Sequence, residues 1–154
     1  MKKIDFGKML GTLANLGVLA GILLLAYELN QTRQLTRAEI RNSLAESLTT
    51  MILNGANNAD LAEITLKAHA GETLTPIERY RFAQQENARM RLWENAHYQY
   101  RNGLFDESEY SAQLEAVRGF VNSHPEREIW CARRSRQSAS FVAEIDALLE
   151  VPCE

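Results

Sequence analysis

The fold of this chain depends on the run MLGTLANLGVLAGILLLAYEL, which covers Met9 to Leu29. The run carries no charged side chain before Glu28 and no proline, so an uninterrupted helix fits it. About 20 apolar residues are what a helix needs to cross the ~30 Å hydrocarbon core of a bilayer. We therefore predict one membrane-spanning helix over residues 9–29. A cleaved signal peptide and a buried core helix are the alternatives, and the first lacks a small-x-small cleavage site.

The rest of the chain is long enough for one further domain. Of the 154 residues, about 125 follow the span, which suffices for a small helical core. From Asn30 onward, 14 Lys and Arg stand against 18 Asp and Glu, a net charge of −4. This acidic balance gives no support for nucleic acid as a partner.

The eight residues before the span form a short basic tail with Lys2, Lys3 and Lys8. Lys and Arg are enriched on the cytoplasmic flank of a spanning helix, so this tail favours a cytoplasmic N-terminus. Three arginines between residues 33 and 41 follow the span closely, so the two flanks of the span carry nearly equal numbers of Lys and Arg. The charge pattern therefore leaves the membrane orientation open.

Small residues recur on one side of the span. Ala14, Gly17 and Gly21 are spaced by three and four residues, which places them on one helix face. Small residues let two helix backbones approach closely in lipid, where packing drives association. We predict that this face packs against another spanning helix, and that Asn15, whose amide is costly in lipid, forms a hydrogen bond within an oligomer. The alternative is that these glycines have no packing role, since glycine is common in spanning helices.

The fold class predicted for the whole chain is all-α. No proline or glycine interrupts residues 22–54, so the amphipathic helix over residues 30–54 is predicted to continue from the span and end at Asn54-Gly55. Capping signals and periodicity predict five later helices, at about 59–69, 75–102, 106–122, 126–134 and 139–149. The prediction is a transmembrane helix, then an amphipathic stalk helix, then a small helical bundle, with residues 30–154 as one helical domain.

Cys131 and Cys153 are the two cysteines, 22 positions apart, and they lack the spacing of a zinc site. They could form a disulfide in an oxidising compartment or remain free thiols in the cytoplasm. We expect them to be unpaired.

Arg89 falls on the apolar arc of the third predicted helix, together with Phe82 and Trp93. An arginine in such a place must be paired or must lie at an interface. We predict a buried ion pair of Arg89 with Glu86 or with an acid of a neighbouring helix. A protein–protein interface around Arg89 and Trp93 is the alternative.

Trp93, His97 and Tyr100 share one helix face, and such a cluster could hold a cofactor, although an aromatic stripe usually belongs to the core. Glu94-x-x-His97 is a pair that di-iron bundles use twice, but a second pair is absent. The chain has no Gly-rich phosphate loop, no Gly-x-Ser-x-Gly and no convincing Ser–His pairing. We predict no metal, no cofactor and no enzymatic activity.

Two stretches carry a family resemblance. LAYELNQTR at residues 25–33 and ENAHYQYRNGLFD at residues 94–106 resemble segments of a large family of uncharacterised bacterial single-pass membrane proteins, and Ile129-Trp130-Cys131 is similar to the family's tryptophan-rich segment. This chain has Glu28 where glutamine is usual. The resemblance implies a bacterial inner-membrane location and a cytoplasmic helical domain. It transfers no functional residue, since the family has no established activity.

The predicted function is association. We expect a single-pass helical interaction protein that acts as a homo-oligomeric scaffold or as an accessory subunit of a larger membrane complex. Its partners would be the lipid bilayer and either itself or another membrane protein. The alternative is a membrane-tethered ligand- or cofactor-binding sensor that uses the aromatic cluster near Trp93.

Overall fold

The computed structural model describes residues 6–153 and confirms the predicted all-α fold, with a long apolar N-terminal helix followed by a small helical domain. The helices are α1 (Phe6–Asn57), α2 (Ala59–His69), α3 (Pro76–Arg101), α4 (Glu107–Val121), α5 (Glu126–Arg133) and α6 (Ala139–Asp146), with a 3-10 turn at Arg134–Arg136. Residues 6–153 contain no β-strand. Lys2 and Lys3 of the predicted basic tail lie outside the described residues.

The helix α1 runs through both of the compact units into which the chain divides, one ending at Glu39 and the other beginning at Ile40. In the described part of the chain, α1 is the one helix long and apolar enough to cross a membrane. None of its most apolar segment is buried within the protein. By length and composition, the first unit therefore holds a candidate membrane span.

The predicted end of α1 at Asn54-Gly55 is wrong, because the helix continues to Asn57. A glycine inside a helix costs only about 1 kcal/mol, which neighbouring turns can offset. The break occurs at Asn58, whose extended backbone and side-chain oxygen cap α2 by accepting the Leu61 N–H at 3.1 Å. The stronger capping residue sets the boundary, not the Asn-Gly pair.

The start and end of α3 follow from local chemistry that the sequence displays. The Thr75 hydroxyl accepts the Glu78 N–H at 3.3 Å, and the Glu78 carboxylate accepts the Thr75 N–H at 2.8 Å. The hydrogen bond that this carboxylate accepts from the Thr75 N–H, together with contacts to the Thr75 and Lys67 side chains, lowers the pKa of Glu78 to about 2. After the helix, Gly103 has φ +68°, and the Leu104 N–H reaches the Gln99 carbonyl at 2.9 Å, which closes a Schellman motif.

The main core lies where α3, α4, α5 and α6 meet. Its buried side chains are Met90, Trp93, Val117, Phe120, Val121, Trp130, Phe141 and Ile145. A smaller cluster of Ile64, Ala68 and Phe82 joins α2 to the first half of α3. The helical domain thus has its own apolar core, which positions the polar groups described below.

The expectation that the cysteines are unpaired is wrong. Cys131 in α5 and Cys153 after α6 form a disulfide bond. The C-terminal segment turns back to α5, where the Arg127 guanidinium donates to the carbonyls of Val151 and Pro152 at 2.8–3.1 Å. This return brings Cys153 beside Cys131, which a separation of 22 residues along the chain does not reveal.

Candidate functional site

The small-residue face of the span is open along its whole length. Ala14, Asn15, Gly17 and Gly21 are all exposed. A Cβ atom built at Gly17 or Gly21 would meet nothing within 4 Å. Within the described residues of the first unit, no side chain therefore covers these positions.

The apolar side chains around the span are equally uncovered. Leu10, Leu23 and Leu29 are 63–71% exposed, values that a water-soluble domain does not tolerate along a continuous helix. Burial of such surface is favourable by roughly 25 cal/mol per Å². This exposed apolar surface is what makes this part of α1 a candidate membrane span.

In the helical domain, Glu86 and Arg89 face each other across one turn of α3. Glu86 Oε2 lies 3.5 Å from Arg89 Nε, and Glu86 is only 1% exposed. The guanidinium carbon of Arg89 lies 5.0 Å from the centre of the Phe120 ring, in a cation–π arrangement. Trp93 packs edge-on against the same ring at 4.8 Å. Arg89 thus lies between a buried carboxylate and an aromatic ring.

The surroundings of Glu86 disfavour its charge. Burial raises the pKa of this carboxyl to about 7, although the nearby Arg89 favours ionisation. Glu126, itself 3% exposed, adds a repulsive charge, and it is paired with His69 Nε2. The Ser123 hydroxyl donates to the other oxygen of Glu126 at 3.3 Å. Glu86 therefore titrates near neutral pH inside the domain.

An apolar groove of about 590 Å³ lies next to Arg89. Residues of three helices line it: Leu48, Met51 and Ile52 of α1, Arg89, Leu92 and Trp93 of α3, and Ala112, Gln113, Ala116 and Phe120 of α4. Leu48 and Ile52 are 42% and 58% exposed. Trp93 and Arg89 thus lie at the edge of a surface that a partner can contact.

The aromatic residues of α3 form separate pairs. Trp93 packs on Phe120 in the core, whereas Tyr100 stacks on Tyr110 with ring centres 4.2 Å apart. Among the described residues, no group of His, Cys, Asp or Glu side chains is arranged to hold a metal. Glu94 of the Glu-x-x-His pair instead accepts the Ser138 N–H, and the carboxylate that contacts His97 is that of Glu144.

A polar cluster that sequence reasoning missed surrounds His97, which is 5% exposed. His97 Nδ1 lies 2.5 Å from Glu144 Oε2, which also accepts the Tyr110 hydroxyl at 2.5 Å. On the other side of the ring, His97 Nε2 lies 3.3 Å from the Ser140 hydroxyl. The partners are 43 and 47 residues away along the chain, so no local motif signals this cluster.

Comparison with known protein families, with curated proteins and with solved structures gives no match to this chain.

Proposed function

We propose that this chain is a membrane-anchored interaction protein that associates through the small-residue face of α1. The observation that carries the proposal is the open face of Ala14, Gly17 and Gly21 on an otherwise apolar helix. The partner helix belongs to a second copy of the chain, which forms a homo-oligomeric scaffold, or to a larger membrane complex in which the chain is an accessory subunit.

The physical argument rests on what holds helices together in lipid. Leucine-rich surfaces gain little by leaving lipid for each other, so close backbone packing at small residues provides the attraction. Asn15 lies on another side of the span, and its amide is costly in lipid unless a partner forms a hydrogen bond with it, worth about 1 kcal/mol in a membrane. Both features favour a specific contact between the span and another helix over insertion of the span into the bilayer as a single helix.

The helical domain supports association with its own exposed groove. Leu48 and Ile52 are apolar and exposed, and the groove beside them reaches Trp93 and Arg89. Aromatic and arginine side chains are the residue types most enriched at the energetic centres of interfaces. We propose this groove as a second surface for association.

We further propose that the span anchors the chain in a bacterial inner membrane with the helical domain on the outer, oxidising side. The resemblance noted above leans to the cytoplasm, but disulfides persist in oxidising compartments and are rare in the cytosol. The Cys131–Cys153 bond therefore outweighs a nearly even count of flanking cations. In this orientation the basic tail lies in the cytoplasm.

Replacing Gly17 and Gly21 with leucine is expected to weaken the assembly about tenfold, because the added side chains separate the backbones. The measurement is the mass of the complex extracted gently from its native membrane, with every component identified. Ala26→Leu, which places a leucine on the opposite side of the helix, is the control and should leave the mass of the complex unchanged apart from the substitution itself.

The composition of this complex distinguishes the two forms of the proposal. Copies of this chain alone identify a scaffold, and a fixed stoichiometry with another membrane protein identifies an accessory subunit. A monomeric chain in gentle extracts, with no crosslinked partner in native membranes, contradicts both.

The orientation is tested with a maleimide that cannot cross the inner membrane. In a chain carrying Cys131→Ser and Cys153→Ser, an exposed Ser135→Cys substitution in the 3-10 turn is expected to react in intact cells. The same chain in lysed cells controls for reactivity of the thiol. Labelling that appears only after lysis would place the helical domain in the cytoplasm.

A further inference from the structure

The side chains of Ser140, His97 and Glu144 lie in the order that a hydrolytic triad requires. The Ser140 hydroxyl is 3.3 Å from His97 Nε2, and His97 Nδ1 is 2.5 Å from Glu144 Oε2. A nucleophile, a base and a group that orients the base are thus connected in one line. Ser140 is exposed, whereas His97 is buried behind it.

The base is held rigidly by its neighbours. The His97 ring packs against the Phe141 ring with centres 5.5 Å apart and against Tyr110 at 6.3 Å. Tyr110 is buried, which raises its pKa well above the usual range, so its hydroxyl stays protonated and donates to Glu144. A fixed imidazole and a fixed carboxylate maintain the geometry without the cost of ordering them during a reaction.

A carboxylate beside Nδ1 favours the tautomer of His97 that carries its proton on that nitrogen. The carboxylate of Glu144 accepts the Nδ1 proton, which leaves a lone pair on Nε2. That lone pair faces the Ser140 hydroxyl and can take its proton. The imidazolium formed in this step is stabilised by the negative charge of Glu144.

Ser140 also lies in the first turn of α6, which begins at Ala139. The first hydrogen bond of this helix runs from the Val142 N–H to the Ser138 carbonyl at 2.9 Å. The N–H groups of Ala139, Ser140 and Phe141 therefore have no acceptor within the helix. They are donors next to the nucleophile, where negative charge develops on a carbonyl oxygen.

We propose that Ser140, His97 and Glu144 form an esterolytic site that acts on small carboxylic esters reaching the surface of the domain. Ser140 Oγ attacks the ester carbonyl while His97 Nε2 takes the hydroxyl proton. The C–O bond to the alcohol breaks, His97 returns the proton to the alcohol, and acyl-Ser140 remains. Water, deprotonated by His97, then releases the carboxylic acid and restores Ser140. This activity is independent of the proposed association.

The test uses the full-length protein in detergent and a fluorophosphonate probe, which forms a P–O bond to a reactive serine and releases fluoride. The wild-type protein is expected to gain one adduct, mapped by mass spectrometry to Ser140. Ser140→Ala should lose it, and because this side chain is exposed, the fold should be retained. Ser138→Ala is the matched control, since that exposed hydroxyl makes no capping bond, and it should be labelled like wild type.

The second measurement is the turnover of p-nitrophenyl acetate by the same proteins. In Ser140→Ala, turnover of the ester is expected to fall to the uncatalysed rate. Glu144→Gln should slow both labelling and turnover about 100-fold, the effect of losing general-base assistance. Wild-type protein without an adduct at Ser140 overturns the proposal. So does labelling that persists in Ser140→Ala, or an adduct at Ser140 without turnover of the ester.

Discussion

Replacing Glu86 with glutamine is expected to raise the free energy of unfolding of the helical domain by up to about 3 kcal/mol at pH 8. In the folded chain, burial raises the pKa of Glu86 from 4.5 to about 7. Each unit of pKa shift corresponds to about 1.4 kcal/mol. At pH 8 the wild-type carboxyl is therefore charged in a site that disfavours charge, whereas glutamine is neutral there.

Because the pKa of Glu86 is raised in the folded state, its effect on the free energy of unfolding appears over a defined pH range. Between about pH 4.5 and pH 7, the folded state binds more protons at Glu86 than the unfolded state does. The wild-type protein thus loses stability as the pH rises through this range, and the loss is complete above pH 7. Arg89, Glu126 and His69 are the charged or titratable groups that act on Glu86, and all three remain in the variant.

Urea unfolding of the full-length protein in detergent measures this difference. Tryptophan fluorescence reports on the helical domain alone, because Trp93 and Trp130 both lie there. Glu115→Gln is the matched control, since Glu115 Oε2 also lies 3.5 Å from an arginine Nε three residues later but is well exposed. The prediction would be contradicted if the free energy of unfolding changed equally with pH in the wild-type protein and in Glu86→Gln between pH 4.5 and pH 7.

Loss of the disulfide is expected to lower the free energy of unfolding by about 3 kcal/mol. Cys131–Cys153 closes a loop between residues 22 positions apart, and a crosslink of that length restricts the unfolded chain by about this amount. The bond also fixes the C-terminal segment on α5, next to the contacts of Arg127 with Val151 and Pro152.

The variant that carries Cys131→Ser and Cys153→Ser should unfold at a lower urea concentration than the wild-type protein. A reductant should bring the wild-type protein to nearly the same midpoint, and the double variant, which has no thiol, should not respond to it. A wild-type midpoint that is unchanged by full reduction would show that the bond contributes nothing to stability.

The helices whose signals are local could be predicted from the amino-acid sequence alone. A continuous apolar run specifies α1, and Thr75 with Glu78 specifies the start of α3, because capping and hydrophobic periodicity act within a few residues. The pairing of Glu86 with Arg89 could also be proposed in advance, since residues three positions apart meet on a helix. One local signal predicted the wrong helix end: Asn54-Gly55 does not end α1, because Asn58 caps the next helix with its side chain.

Contacts between residues far apart along the chain became visible only in the packed helices. The return of the C-terminal segment brings Cys153 to Cys131, and the packing of α6 against α3 brings Ser140 and Glu144 to His97. Such contacts depend on how whole helix faces pack together, and no spacing along the chain encodes them. The charge state of Glu86 has the same origin, because its burial is produced by neighbouring helices and not by its own.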